Sequence, residues 1–392
     1  LWVHMNLYFR TLGLGEATIG RILSAGSLGM VLISLPAAVW IDRFRAQRVF
    51  SLSAIAFALA MALQLTLTDP RLLLLASLAT MVGFSVHWVA AAPFIMRNAA
   101  QSERTELFGV ASALETLATV IAAFGAGFLA SRLGTLLDSE LLGLRYTLYA
   151  VAGLSFLASI PFAAIRSDPI SLPGGGWRRY VVARDWKLLG KICLPIFLIG
   201  CGAGLTIPFL NLYFRNRFGQ NPAEIGVYFA IAQTMTMIGF LVGPVLARRF
   251  THVRAIVATQ LFSIPFFLIL AIADRLWVAV GAFWIRGALM NMNHPISSAF
   301  SMEIIPSDQQ ATTNSMRMLS WNLSWMCMTP LGGWLIERYG FSPNMIGTMG
   351  LYLIASVIFW RFFRGWTVEG GDPAKGGIGA GAIPPKATPD DA

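Results

Sequence analysis

The chain has 392 residues, of which 56% are hydrophobic and only 12% charged, with a mean hydropathy of +0.66. A soluble domain carries about twice that charged fraction, so a soluble globular fold is excluded. The formal net charge of +10 invites a nucleic-acid partner. The Lys and Arg residues instead sit in short links between apolar runs, with no basic patch interleaved with aromatics, which excludes that partner.

In chain order, a short apolar start (1–10) precedes predicted spans near 19–41, 49–67, 71–96, 107–131 and 146–165. Further spans fall near 191–214, 224–247, 255–273, 277–302, 313–336 and 345–363. These runs are near or above the roughly 20 residues that cross a bilayer, and the short alternating strands of a membrane barrel are absent. The expected fold class is therefore an all-α polytopic membrane protein. Residues 166–190, with Pro169, Pro173, three consecutive glycines and a cluster of Arg and Lys, read as a linker. The Gly-, Pro- and Ala-rich stretch 365–392 reads as a disordered tail. Cys193, Cys201 and Cys327 lie inside apolar runs, which suits packing and not a disulfide framework.

The chain contains itself twice. Asn6-Leu7-Tyr8-Phe9-Arg10 recurs as Asn211-Leu212-Tyr213-Phe214-Arg215. At almost the same spacing Ala17, Ile19 and Gly20 meet Ala223, Ile225 and Gly226, and Gly127, Leu129 and Arg132 meet Gly333, Leu335 and Arg338. So long a period is a whole half-protein and not a solenoid unit. The expected organisation is a first half at 1–165, the linker at 166–190, a second half at 191–364 and the tail at 365–392. By the same comparison, residues 1–10 match only the end of the span 191–214, so a truncated first span and twelve spans in the complete protein are expected. Lys and Arg concentrate on the side of Arg43, Arg45, Arg48, Arg97, Arg104 and the linker. By the positive-inside rule that side, with linker and tail, is cytoplasmic.

Two six-span halves joined by a basic cytoplasmic linker resemble the major facilitator superfamily of secondary transporters. The signature of that family between spans two and three reads Gly-x-x-x-Asp-Arg-x-Gly-Arg-Arg. The corresponding stretch here is Ala38-Val39-Trp40-Ile41-Asp42-Arg43-Phe44-Arg45-Ala46-Gln47-Arg48. Asp42, Arg43 and Arg48 match, and both glycines are replaced. The resemblance implies a cytoplasmic gate in which Asp42 pairs with arginines and a helix N-terminus, holding one conformation and releasing it. The Gly-Pro signature of drug antiporters in the fifth span is absent, Gly125-Ala126-Gly127 being its nearest equivalent.

Ionisable groups within spans are costly and mark pathways or internal pairs. Glu115 is the acid placed well inside a span, and Arg286 the comparably deep base. A lone carboxylate in a low-dielectric cavity suits a proton carrier, whereas an arginine keeps its proton and suits an anion anchor or an acid's partner. His87 and His294 fall within one residue of each other under the repeat, so either matched proton carriers or ordinary packing residues are expected. Asn291 near Pro295, and Gln233, Asn322 and Trp325 on other second-half spans, are candidate substrate contacts. Methionines at 235, 237, 290, 292, 316, 318, 326 and 328 read as core filler or as a soft lining for a broad hydrophobic site. No metal-ligand spacing, phosphate loop or nucleophile motif is present, so no metal, cofactor or enzymatic activity is expected. The functional expectation is a multi-pass transporter of the cell membrane, monomeric, moving a small molecule by alternating access, with proton-coupled efflux or exchange leading. A facilitator not coupled to protons, or a receptor on the same fold, stays open.

Overall fold

In the computed structural model, residues 2–98, 104–165, 185–305 and 310–366 are described. Most of the linker and tail, and the Asp42 and Arg43 side chains, lie outside the described residues. The first half forms α1 (Trp2–Thr11), α2 (Glu16–Arg43), α3 (Ala46–Gln64), α4 (Pro70–Asn98), α5 (Arg104–Leu136), α6 (Glu140–Leu157) and the short α7 (Ser159–Ala163). The second forms α8 (Trp186–Thr206), α9 (Leu210–Phe218), α10 (Pro222–Phe250), α11 (His252–Ile272), α12 (Leu276–Glu303), α13 (Gln310–Tyr339) and α14 (Phe341–Phe363). The starts of α10, α11 and α12 each follow those of α2, α3 and α4 by 206 residues, so the repeat read from scattered side chains is also a repeat of helix register.

Among the described residues, nine stretches are long and apolar enough to cross a membrane. Neither α12 nor α13 supplies one of them, although at 28 and 30 residues both exceed the required length. Their polar load lowers them: α12 carries Arg286, Asn291, Asn293 and His294, and α13 carries Arg317, Asn322 and Arg338.

Between α8 and α9 the chain passes through one 3-10 turn, Ile207–Phe209, with Pro208 at its centre. Proline removes a donor and frees carbonyls that lipid cannot satisfy. Side chains of α14 pack polar atoms against this end of α8: Asn344 Nδ2 donates to the Leu205 carbonyl (2.5 Å), and Thr348 Oγ1 to that of Gly202 (2.9 Å).

The chain divides into two compact units. One takes Leu1–Arg179, Ala203–Gln233 and Asn322–Asn344; the other takes Tyr180–Gly202, Thr234–Trp321 and Met345–Ala392. The division differs from the boundary between the repeats. Segments of α8–α10 and α13 group with the first half because of the contacts described next.

Candidate functional site

Within the first unit the repeated residues bind each other across the duplication. Asn6 Nδ2 donates to the Pro208 carbonyl and Asn211 Nδ2 to the Val3 carbonyl, both at 2.6 Å. Val3 and Pro208 are separated by the same 205 residues as Asn6 and Asn211, so the two bonds are reciprocal. The matched glycines behave alike. A Cβ on Gly20 would lie 2.5 Å from the Thr329 carbonyl oxygen, and one on Gly226 2.6 Å from that of Ala123. One on Gly127 would lie 2.7 Å from the Pro222 oxygen, and one on Gly333 2.2 Å from the Glu16 oxygen. Gly20 and Gly333 thus mark a crossing of α2 on α13, and Gly127 and Gly226 one of α5 on α10, where the backbones approach too closely for any side chain.

Around these crossings the charges are not duplicated. Arg215 grips Glu140 with both guanidinium nitrogens, Nη2 at 2.9 Å. Its twin Arg10 instead pairs with Glu16 at 3.6 Å, and Asn216 donates to the same carboxylate at 3.0 Å. The N-terminus of α10 is capped from within: the Asn221 side chain accepts from Glu224 N and the Glu224 carboxylate from Asn221 N. Gly15, at the head of α2, has no side chain to do this. Glu337 of α13 does it from the other repeat, accepting from Ala17 N at 3.0 Å.

In the second unit, α12 presents two faces. Ala279, Phe283, Arg286, Asn293, Ile296 and Phe300 are buried at the spacing of one helical stripe. The Arg286 guanidinium lies over the Phe267 ring (4.9 Å to the centroid) and has the Tyr352 hydroxyl as a hydrogen-bond partner. Gly202 admits the Tyr352 ring, whose nearest atoms stand 2.8 Å from where a Cβ would be. Among the described residues no carboxylate pairs with Arg286, and its Nε has no hydrogen-bond partner. Asn291 and Ser298, seven residues apart, share another face about 120–140° around the helix from Arg286, and His294 lies about 80° from it. Asn291 Nδ2 donates to Thr236 Oγ1 of α10 (3.0 Å).

The sequence reading missed Arg317. Placed only four residues inside its expected span, it looked like an interfacial residue. Here it is half-buried, and its Nη2 donates to Ser298 Oγ (3.2 Å). The signal available in sequence was asymmetry, since its repeat partner is Ala111.

The remaining candidates are dispersed. Glu115 is exposed on α5, its carbonyl accepting from Thr119. His87 packs edge-on to Phe50 (5.3 Å between centroids) and 5.4 Å from Phe162. His294 is in electrostatic range of Arg317. Gln233, Asn322 and Trp325, half-buried, belong to the first unit, and Arg48 is exposed at the start of α3. Among the described residues no group of three His, Cys, Asp or Glu side chains is placed to hold a metal.

This architecture is that of a membrane transport protein built from two related helical halves. The profile of the Major Facilitator Superfamily matches residues 1–191 and again 192–387, and the chain belongs to that family of multi-pass membrane transporters. It is 24% identical over 192 residues to a Na(+), Li(+), K(+)/H(+) antiporter of Planococcus maritimus (47% of this chain, 44% of that protein). A major facilitator superfamily domain-containing protein 6-like of Danio rerio is 32% identical over 84 residues (21% of this chain, 15% of that protein). These matches thus span less than half the length of the curated relatives. Among solved structures, a bacterial homologue of the human lysosomal transporter Spinster, inward-facing and unoccupied, aligns with a TM-score of 0.74 at 18% identity, covering 93% of this chain and 95% of that one. The nucleoside transporter NupG aligns at 0.71 with 15% identity, covering 93% and 95%. At such identity these structures share the fold.

Proposed function

We propose that the protein is a secondary active transporter that moves a small molecule across the cell membrane by alternating access, coupled to protons through Glu115. The observation that carries the reading is the duplicated seal. Reciprocal Asn6 and Asn211 bonds and paired glycine crossings join the repeats through small, polar, reversible contacts, as a seal that must open and reclose requires. Proton coupling draws support from two sources: the antiporter named among the relatives, and an acid lying about 16 Å along α5 from Arg104 with no carboxylate or base recorded against it among the described residues. In this reading the basic linker and the tail face the cytoplasm, and Asp42 with Arg43 latches that side. Arg286 supplies a fixed charge behind the polar face of α12.

The test is Glu115→Gln in proteoliposomes. With a pH gradient imposed, the variant loses solute accumulation while exchange without a gradient persists. Gradient-driven accumulation at the wild-type level would remove Glu115 from the coupling path, and wild-type transport indifferent to pH would favour a facilitator.

A further inference from the structure

We infer that the second unit contains a recognition subsite for an organic anion, a carboxylate or phosphate ester, centred on Arg317. The inference rests on the transport reading and adds the substrate class. Three helices converge there. From α13, Arg317 donates through Nη2 to Ser298 of α12 at 3.2 Å. From α8, the Cys193 thiol shares a hydrogen bond with Ser320, one turn along α13, and lies in electrostatic range of the same guanidinium. From α12, His294 lies in electrostatic range of Arg317.

The described groups at this point are two hydroxyls, a thiol and an imidazole. Among the described residues no carboxylate pairs with Arg317, and its buried Nε has no hydrogen-bond partner. An arginine cannot escape the cost of burial by losing its proton. A half-buried guanidinium is stabilised when an anion arrives, and its planar fork, with the Ser298 hydroxyl beside it, fits carboxylate or phosphate oxygens; the Ser320 hydroxyl donates to the Met316 carbonyl instead. Arg286 differs in the property that matters here. It is 6% exposed and enclosed by Phe267 and Tyr352 on the opposite stripe of α12. Ser298, Arg317 and Cys193 are each partly open, and His294 is exposed, so this cluster is not enclosed as Arg286 is.

Cys193 sits inside the cluster and reports its potential without knowledge of the substrate. In the full chain carrying Cys201→Ser and Cys327→Ser, reconstituted in phosphatidylcholine, Cys193 is labelled with an anionic (sulfonatoethyl) or a cationic (trimethylammonioethyl) methanethiosulfonate. The ratio of the two rates cancels any change in thiol reactivity. Arg317→Gln should lower the anion-to-cation ratio about tenfold, as expected for removal of one neighbouring unit charge. Arg317→Lys should keep it, which guards against misfolding of the glutamine variant. Succinate and inorganic phosphate should slow labelling only while residue 317 is cationic, and succinamide should not. A ratio indifferent to Arg317→Gln, labelling by neither reagent, or no protection by either anion overturns the subsite. Protection gained only on adding phosphatidylglycerol would assign the anion to a lipid headgroup and overturn the solute. None of these readings needs flux, so failure here leaves the transport proposal standing, and absent flux leaves this one standing.

Discussion

Thr80 of α4 and Arg286 of α12 occupy the same place in the two repeats, 206 residues apart, and are 1% and 6% exposed. Thr80 is satisfied locally, its hydroxyl 2.8 Å from the Ala76 carbonyl and 3.3 Å from Gln64 Oε1. Arg286 keeps a charge that a ring face and a phenol stabilise only in part. The same contrast separates α5 from α13, where Glu115 stands against Trp321 and Ala111 against Arg317. Duplicated asparagines and glycines bring the repeats into contact, while the deep charged residues have no duplicated counterpart. The glycine crossings are therefore symmetric, while the deep charges are not: Glu115 lies in the first half and Arg286 and Arg317 in the second.

The largest expected effect breaks the symmetric part. Gly333→Val places a side chain where the Glu16 carbonyl oxygen stands 2.2 Å from the Cβ position. Overpacking costs about 1–3 kcal/mol, enough to depopulate the sealed state roughly 5- to 150-fold and stop the cycle. Gly127→Val should do the same at the mirrored crossing. Gly125→Val, with nothing within 4 Å of its Cβ position on the same helix, should leave flux intact. If Gly125→Val were as damaging as Gly127→Val, helix propensity and not the crossing would be responsible.

The next sharpens the asymmetric part. Arg286→Ala opens a cavity beside Phe267 and Tyr352 and should cost about 3 kcal/mol in thermal unfolding of the purified protein. Arg286→Met fills the volume, removes the buried charge and should cost less than about 1 kcal/mol. Thr80→Val, losing one bond inside the membrane, should cost about 0.6 kcal/mol. Equal losses for Arg286→Met and Arg286→Ala would mean that the guanidinium's bond to Tyr352 holds the bundle.

The all-helical class and the duplication were legible because apolar length and a long period are properties of the chain itself; the breaks at Ala158 and at Ile207–Phe209 were not. The Asn-Leu-Tyr-Phe-Arg repeat even marked residues that join the repeats, although sequence alone could not show that Asn6 and Asn211 bond reciprocally. The chemistry was less legible. Depth along a helix suggested Arg286 as well placed and passed over Arg317, because a span count gives depth and not face. Only the buried stripe of α12 separates Arg286 from Asn291 and Ser298. Glu337 could not be read at all as the cap of α2, since the two are separated by more than 300 residues.

That cap gives the smallest effect and the most discriminating one. Glu337→Ala should cost about 1 kcal/mol by uncapping α2, and Glu224→Ala a similar amount by opening the capping box of α10. Stability alone would not distinguish them. Flux should, because Glu337 ties one repeat to the other while Glu224 acts within its own helix. Gly15→Ser supplies the missing cap locally: its backbone is extended at φ −73°, ψ 161°, as an N-cap serine requires, and Glu337→Ala clears the carboxylate that would crowd it at 3.0 Å. The double variant Gly15→Ser, Glu337→Ala should then recover the unfolding temperature but not the flux. Recovery of both would reduce Glu337 to an ordinary helix cap. Recovery of stability alone would separate what holds α2 together from what holds the two repeats together.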